Sequence, residues 1–341
     1  MEMINDKSAF MFHKMLEQKD HNNINKLLSM LSIDTIIKSK HNGFISNMLY
    51  HMIDIKSKEL EHIYKVLDNT DLLMKRDYLN MILYYYNKDI NYATSIFNDK
   101  IITKNLILLS KDIDFILDNN MFDLLPFLNE VFICTSINTL PYTNNYNNLE
   151  LKYLNAIECD TILQSIVISD IKYSFDISNV KTIIDGCNII HSRTGKITQN
   201  SLDDLKKIIE MATIKFGKPL VVIHKRHLKT LPKLMETLNS LNVPYILTPP
   251  GYDDDLYILY FFLMLKSKVF IISNDKYRDH IFKYSTISQK AKNIITQMTI
   301  GYKNSQTIVI DDFPLYSHCI QHIGNSIYIP HISGKMITIK L

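Results

Sequence analysis

Over the first 150 residues, apolar positions recur at helical spacing in three similar runs, FMFHKMLEQKDHNNINKLLSML, FISNMLYHMIDIKSKELEHIYKVL and YLNMILYYYNKDINYATSIFNDKI. The runs open at Phe10, Phe44 and Tyr78, 34 residues apart, and a weaker fourth unit follows through Ile113–Val131. A period of this size, with two amphipathic helices per unit, predicts a helical solenoid; the alternative is an all-α domain whose helices share the spacing by accident. Helical periodicity then stops. The stretch Thr135–Leu151, TSINTLPYTNNYNNLEL, is rich in Asn, Thr and Tyr and reads as a linker.

Beyond the linker the period shortens to that of strands. Short, β-branched runs predict strands at Ser165–Lys172, Lys181–Ile184, Lys218–Ile223, Val243–Leu247 and Val269–Ser273. Further runs lie at Gln306–Ile310, His318–Ile323, Ser326–Ile329 and Met336–Lys340, with turn signals at Gly324-Asn325 and Ser333-Gly334. Between Lys181 and Ser273 the strands alternate with helical segments, one capped near Ser201 and running to about Phe216, the other the apolar run Leu256–Leu265. Alternation of this kind predicts α/β architecture with a parallel sheet. The run Leu256–Leu265 has no polar face and reads as a helix buried on both sides.

Acidic residues mark the points where this chain leaves its strands. They are Asp185 in VKTIIDGCN, Asp254 and Asp255 after the turn Pro249-Pro250-Gly251, and Asp275 and Asp279 in ISNDKYRDH. A parallel sheet gathers such positions into the crevice at the carboxyl ends of its strands. Helix capping accounts for one Asp near the start of Leu256–Leu265; three in a row opposite Asp185 and Asp275 would repel one another unless a cation neutralised them. Carboxylate oxygens suit Mg²⁺ or Mn²⁺, and such ions in this setting point to phosphodiester chemistry. The expected metal ligands and catalytic residues are Asp185, Asp254, Asp255 and Asp275, with Asn188 as a positioning group. The strand exit His224-Lys225-Arg226-His227 places cationic groups beside them, suited to a phosphate backbone. Arg278, Asp279 and His280 are further expected substrate contacts.

Composition narrows the context. With 46% hydrophobic residues over 341 positions, two or three cores are within reach. The four cysteines show no paired spacing, so neither a disulfide framework nor a Cys-x-x-Cys zinc clip is read, and a reducing, intracellular setting is expected. Leu256–Leu265, the longest apolar run, is too short to span a bilayer, and MEMINDKSAF carries no Arg-rich leader, so no membrane partner or targeting signal is expected. A net charge of +3 leaves any affinity for RNA to local basic patches.

The segments IDGCN, VVIHKRHL, PPGYDDDLYILY and ISNDKYRDH, in this order, resemble the metallonuclease domain of protein-only RNase P, whose pattern reads roughly DGAN, H-x-K-R, PPGSNDDW and TNDEMRDH. Cys187, Asp253 and Leu256 depart from that pattern without removing a catalytic carboxylate. The unit at Tyr78, with Met81-Ile82, Lys88-Asp89-Ile90, Ala93 and Phe97, is similar to a pentatricopeptide repeat. The resemblance implies a PIN-like (NYN) nuclease at residues 179–303, preceded by an α-helical RNA-binding domain at 1–145. A small β connecting domain, built from 151–178 and 304–341, would join the two. In the family that connecting domain holds zinc; here Ile162 and Tyr328 stand where two ligands are expected, so structural Zn²⁺ is not expected unless His318, Cys319, His322 and His331 form a replacement site.

The activity implied is removal of the 5′ leader from precursor tRNA, leaving a 5′-phosphate and a 3′-hydroxyl, with Mg²⁺ (or Mn²⁺) as cofactor and neither an RNA subunit nor a protein partner. Two other readings stay open at this point: a PIN-like ribonuclease of general RNA decay, and a non-catalytic RNA-binding repeat protein.

Overall fold

A computed structural model of the chain describes residues 4, 6–104, 106–169, 173, 175–192, 197–285, 288–304 and 308–341. The chain divides into two compact units, one of Glu130–Phe132 and Asn144–Cys319, the other of residues up to Asn129 with Ile133–Thr143 and Ile320–Leu341.

In the first unit five parallel strands form a sheet in the order β3-β2-β1-β4-β5: β1 (Thr182–Asp185), β2 (Pro219–His224), β3 (Tyr245–Thr248), β4 (Phe270–Ile272) and β5 (Thr299–Ile300). Side chains alternate across it. Ile183, Leu220, Val222 and Ile271 enter one core with the helix Asp254–Met264, while Ile184, Val221, Ile223 and Ile272 enter the other with the helix Gln199–Phe216. Residues buried on both faces must be apolar throughout, which is why these strands are runs of Ile, Val and Leu. The helix Asp254–Met264 is covered almost all round, as its unbroken hydrophobicity predicts. Its six buried side chains, at roughly 1.5–3 kcal/mol each, contribute on the order of 10 kcal/mol and hold its amino end in place. The strand order reverses at β1, between β2 on one side and β4 on the other, so the crevice for a ligand opens at their carboxyl ends.

The expected connecting domain is divided between the units. Residues 165–169 form no strand; they follow a helix, Ala156–Gln164, capped by Asn155, and the rest of the expected strand Ser165–Lys172 lies outside the described residues. Cys159 and Ile162, on that helix, are fully buried in the nuclease core beside Tyr257 and Phe261. The hairpin β6 (Tyr302–Asn304) and β7 (Ile308–Ile310) also joins this unit, burying Tyr302, Ile308 and Ile310 against the helix Gln199–Phe216 and the sheet. These side chains join the nuclease because each finds its apolar cover there.

The second unit carries the helices. Among the described residues, four helical pairs start at Asp6, Asn42, Lys75 and Ser110, with an additional helix, Ile33–Ser39, after the first pair. Phe44 and Tyr78 are buried, but Phe10 is exposed; the ring that packs on Phe44, with centroids 4.8 Å apart, belongs to Phe12. The first repeat is therefore out of register with the simple spacing. The three-stranded antiparallel sheet β8 (Gln321–Ile323), β9 (Ser326–Pro330) and β10 (Met336–Lys340) lies in this unit. The expected linker is not free at its start: Thr135 N–H donates to the Pro330 carbonyl, Ile332 N–H to that of Thr135, and Thr143 N–H to that of Met336. These polar segments gain a partner for their backbone in the tail sheet, which composition does not reveal. Among the described residues, no helix is long and apolar enough to cross a membrane.

Candidate active site

Asp185 is the last residue of β1 and the N-cap of the short helix Gly186–Ile190. A Cβ at position 186 would lie 2.9 Å from the Val222 carbonyl and 3.0 Å from Ile223 Cβ, so only glycine lets this helix start so close to β2. The Asp185 side chain is buried. Its Oδ1 accepts from the Asn188 N–H at 2.9 Å; its Oδ2 accepts from Ser273 Oγ at 2.7 Å and from the Tyr277 hydroxyl at 3.3 Å. Burial pushes this carboxyl up to about 6, the nearby Asp254 charge adds to the rise, and the three donors oppose it.

β4 pairs directly with β1, Ile184 opposite Ile272, so the segment after β4 runs past Asp185. Ser273 Oγ accepts from the Asp275 N–H at 2.9 Å, and Asp275 Oδ1 accepts from the Tyr277 N–H at 2.8 Å. Asn188 links the same two strand ends, its Oδ1 accepting from the Asn274 N–H at 3.0 Å and from the Tyr302 hydroxyl at 2.7 Å.

The third contributor is the amino end of the helix Asp254–Met264. Asp253 caps it, accepting from the Asp255 N–H at 3.1 Å, and also meets His280 Nε2 at 3.1 Å. Asp254 accepts a hydrogen bond from the Cys187 thiol, whose sulfur accepts from the His224 N–H. Burial raises that thiol, and Asp254 raises it further. Asp255 is the most perturbed carboxyl here. Burial, then the charges of Asp185, Asp253, Asp254 and Asp275, push it up to about 8.

An open cleft of about 520 Å³ brings together Asn188, Asp255, Asp275, Arg278, Asp279 and His280 of the expected set. Asp253, Asn274, Lys276 and Tyr277 also line it. Asp185 lies beneath, reached through Tyr277, and Asp254 is turned toward Cys187. The four expected ligands do not gather as tightly as their spacing suggests. Among the described residues, the group of His, Cys, Asp or Glu side chains whose ligand atoms lie within 4.8 Å of one another is Asp253, Asp255 and His280. Asp185, Asp254 and Asp275 each engage donors of their own. The His and Cys residues of the tail form no such group among the described residues.

The basic strand exit separates into two kinds of residue. Lys225 and Arg226 are exposed, but His224 and His227 are buried, and His224 Nδ1 accepts from the Arg226 N–H. Burial, then the neighbouring Arg226, His191 and His224, lower His227 to about 4. His224 therefore supports the loop, and the accessible cations are Lys225 and Arg226. Nothing in the sequence pattern marks Tyr277 or Tyr302 as site residues, because a tyrosine shows no role until its hydroxyl is seen to meet a carboxylate or an amide.

Residues 171–339 match the family model for protein-only RNase P. Two curated relatives are proteinaceous RNase P 2 and 3 of Arabidopsis thaliana, 37% identical over 129 residues and 35% identical over 118 residues. These stretches cover 33% and 30% of this chain but span only 23% and 19% of the relatives' own length. Two solved structures of the Arabidopsis nuclear proteinaceous RNase P 2 share the fold. One superposes with a TM-score of 0.58 at 18% identity, covering 98% of both chains; the other has a TM-score of 0.60 at 17% identity, covering 97% of this chain and 86% of that one. With the parallel sheet, the carboxylate crevice and this match agreeing, the nuclease half of the chain, residues 171–339, belongs to the protein-only RNase P family.

Proposed function

We propose that this chain is a metal-dependent endoribonuclease that removes the 5′ leader of precursor tRNA by hydrolysis, without an RNA subunit. The observation that carries the proposal is the convergence of Asp185, Asp254, Asp255 and Asp275 where β1, β4 and the helix Asp254–Met264 meet, with Asp255 pushed up to about 8 by burial and by the other carboxylates. Such a set fits a hard divalent cation. The donors are carboxylate oxygens, and their mutual repulsion is what a bound cation relieves. Mg²⁺ is the expected ion, with Mn²⁺ an adequate substitute, and when bound it supplies a water of lowered pKa and charge stabilisation for the phosphoryl oxygens.

The chain's own groups do the rest. Asp185, Asp254, Asp255 and Asp275 hold the ion, while Asn188 fixes the spacing of the β1 and β4 ends through Asn274. Lys225 and Arg226, exposed at the end of β2, contact RNA phosphates, as do Lys276 and Arg278 on the cleft wall. No protein nucleophile is required, and the product ends are a 5′-phosphate and a 3′-hydroxyl. The helical unit, with exposed faces on its repeats, engages the folded body of the tRNA.

The test is incubation of the purified chain with a 5′-extended tRNA precursor in Mg²⁺, mapping the new end. Cleavage at the mature 5′ end is expected, and Asp254→Ala or Asp275→Ala should slow it by several orders of magnitude while precursor binding changes little. Wild-type rates in both variants would refute the site; equal cleavage of unstructured RNA would favour general RNA decay.

A further inference from the structure

Tyr277 occupies an unusual place. Its backbone lies in the left-handed region at φ +48°, which a bulky aromatic residue rarely adopts, and its side chain is 1% exposed. Backbone outliers of this kind concentrate at functional sites, where the surrounding structure enforces them. Here the conformation does two things at once. It aims the Tyr277 N–H at Asp275 Oδ1, 2.8 Å away, and directs the ring inward so that its hydroxyl donates to Asp185 Oδ2 at 3.3 Å. One residue thus touches two of the carboxylates assigned to the metal, one through its backbone and the other through its side chain. Ser273 makes a parallel link, donating to Asp185 Oδ2 and accepting from the Asp275 N–H.

The donor count at Asp185 gives this link a consequence. A carboxylate oxygen offers two lone pairs. Oδ2 has both engaged by the hydroxyls of Ser273 and Tyr277, whereas Oδ1 accepts from the Asn188 N–H alone and retains one. The two hydroxyls therefore fix the rotation of the buried carboxylate and leave Oδ1 as the oxygen with capacity to bind a cation. The family pattern TNDEMRDH has methionine at this position, which carries no such hydroxyl.

We propose that Tyr277 is a positioning residue for the metal centre: its hydroxyl and its left-handed backbone hold Asp185 and Asp275 as an oriented pair, so that metal affinity depends on a phenol that touches neither metal nor RNA. The inference rests on the metal-binding reading above. Removing an outer partner of this kind typically lowers metal affinity 10- to 100-fold.

The test is direct Mn²⁺ binding to the whole 341-residue chain, followed by electron paramagnetic resonance of the free ion, on wild type, Tyr277→Phe, Ser273→Ala and Asp185→Asn. Tyr277→Phe keeps the buried ring and removes only the hydroxyl. It should bind Mn²⁺ about tenfold more weakly and shift the Mg²⁺ midpoint for cleavage upward by a similar factor, with KM for the precursor and the melting temperature unchanged. Ser273→Ala, which perturbs packing least, should shift both in the same direction. If Asp185→Asn abolishes binding while Tyr277→Phe and Ser273→Ala bind as wild type does, the positioning role is wrong and the metal site stands. If Asp185→Asn itself binds Mn²⁺ with wild-type affinity, the metal reading fails and takes this inference with it.

Discussion

Replacing Asp255 by Asn separates what this carboxylate costs the fold from what it contributes to the reaction. Burial first, and then the charges of Asp185, Asp253, Asp254 and Asp275, raise this carboxyl from 3.8 to about 8. In the metal-free protein, the folded chain therefore keeps a proton that the unfolded chain has already released at any pH between those values. Stability must fall as pH rises through that window and level off above it, the reverse of a salt-bridged carboxylate. At 1.36 kcal/mol for each pH unit, an unscreened group would cost ~5 kcal/mol by pH 8. The side chain is 26% exposed, and water there screens part of the penalty, leaving ~2 kcal/mol.

Asparagine is nearly isosteric and carries no charge to bury. In EDTA, urea unfolding at pH 8 should show Asp255→Asn more stable than wild type by ~2 kcal/mol, with the gap shrinking below ~1 kcal/mol at pH 5. Mg²⁺ should narrow the gap at pH 8 by stabilising wild type alone, since only it retains the ligand. The same variant should lose Mg²⁺-dependent cleavage. A gap independent of pH, or a variant less stable than wild type at pH 8, would refute the idea that mutual repulsion strains this crevice.

Two further outcomes follow from the geometry around it. Lys225→Ala with Arg226→Ala should raise KM for an RNA substrate with little change in kcat, and the log–log salt dependence of binding should become shallower by about 2, one for each phosphate no longer neutralised. Gly186→Ala places a Cβ 2.9 Å from the Val222 carbonyl, so it should destabilise the nuclease by about 1–3 kcal/mol, read as a lower urea midpoint. An unchanged midpoint would mean that the helix start at Gly186 yields without strain.

The nuclease was readable in advance because its signals are local. Runs such as Lys181–Ile184 and Val269–Ser273 announce buried parallel strands by composition alone, and the structure places β1 and β4 within a residue or two of them. The carboxylates that follow stand at strand exits whatever the rest of the chain does, so a parallel sheet sufficed to bring Asp185 and Asp275 to adjoining ends. The third helical unit was equally local, with Tyr78 and Met81 buried at the spacing of one helical face.

Tertiary structure alone decided the partners. Ser165–Ser169 has the residues of a strand, yet forms none among the described residues, while the polar segment at Thr135–Thr143 finds partners in the tail sheet. Ile308 and Ile310 read as part of a tail domain but cover the nuclease core, because apolar side chains go wherever uncovered apolar surface remains. His224 looks like a cation beside phosphate until the end of β2 closes over it. The hydroxyl of Tyr277 meets a carboxylate 92 positions earlier in the chain. A sequence specifies which groups need a partner, through their polarity and periodicity; which partner each one finds depends on surfaces that exist only after distant segments have packed.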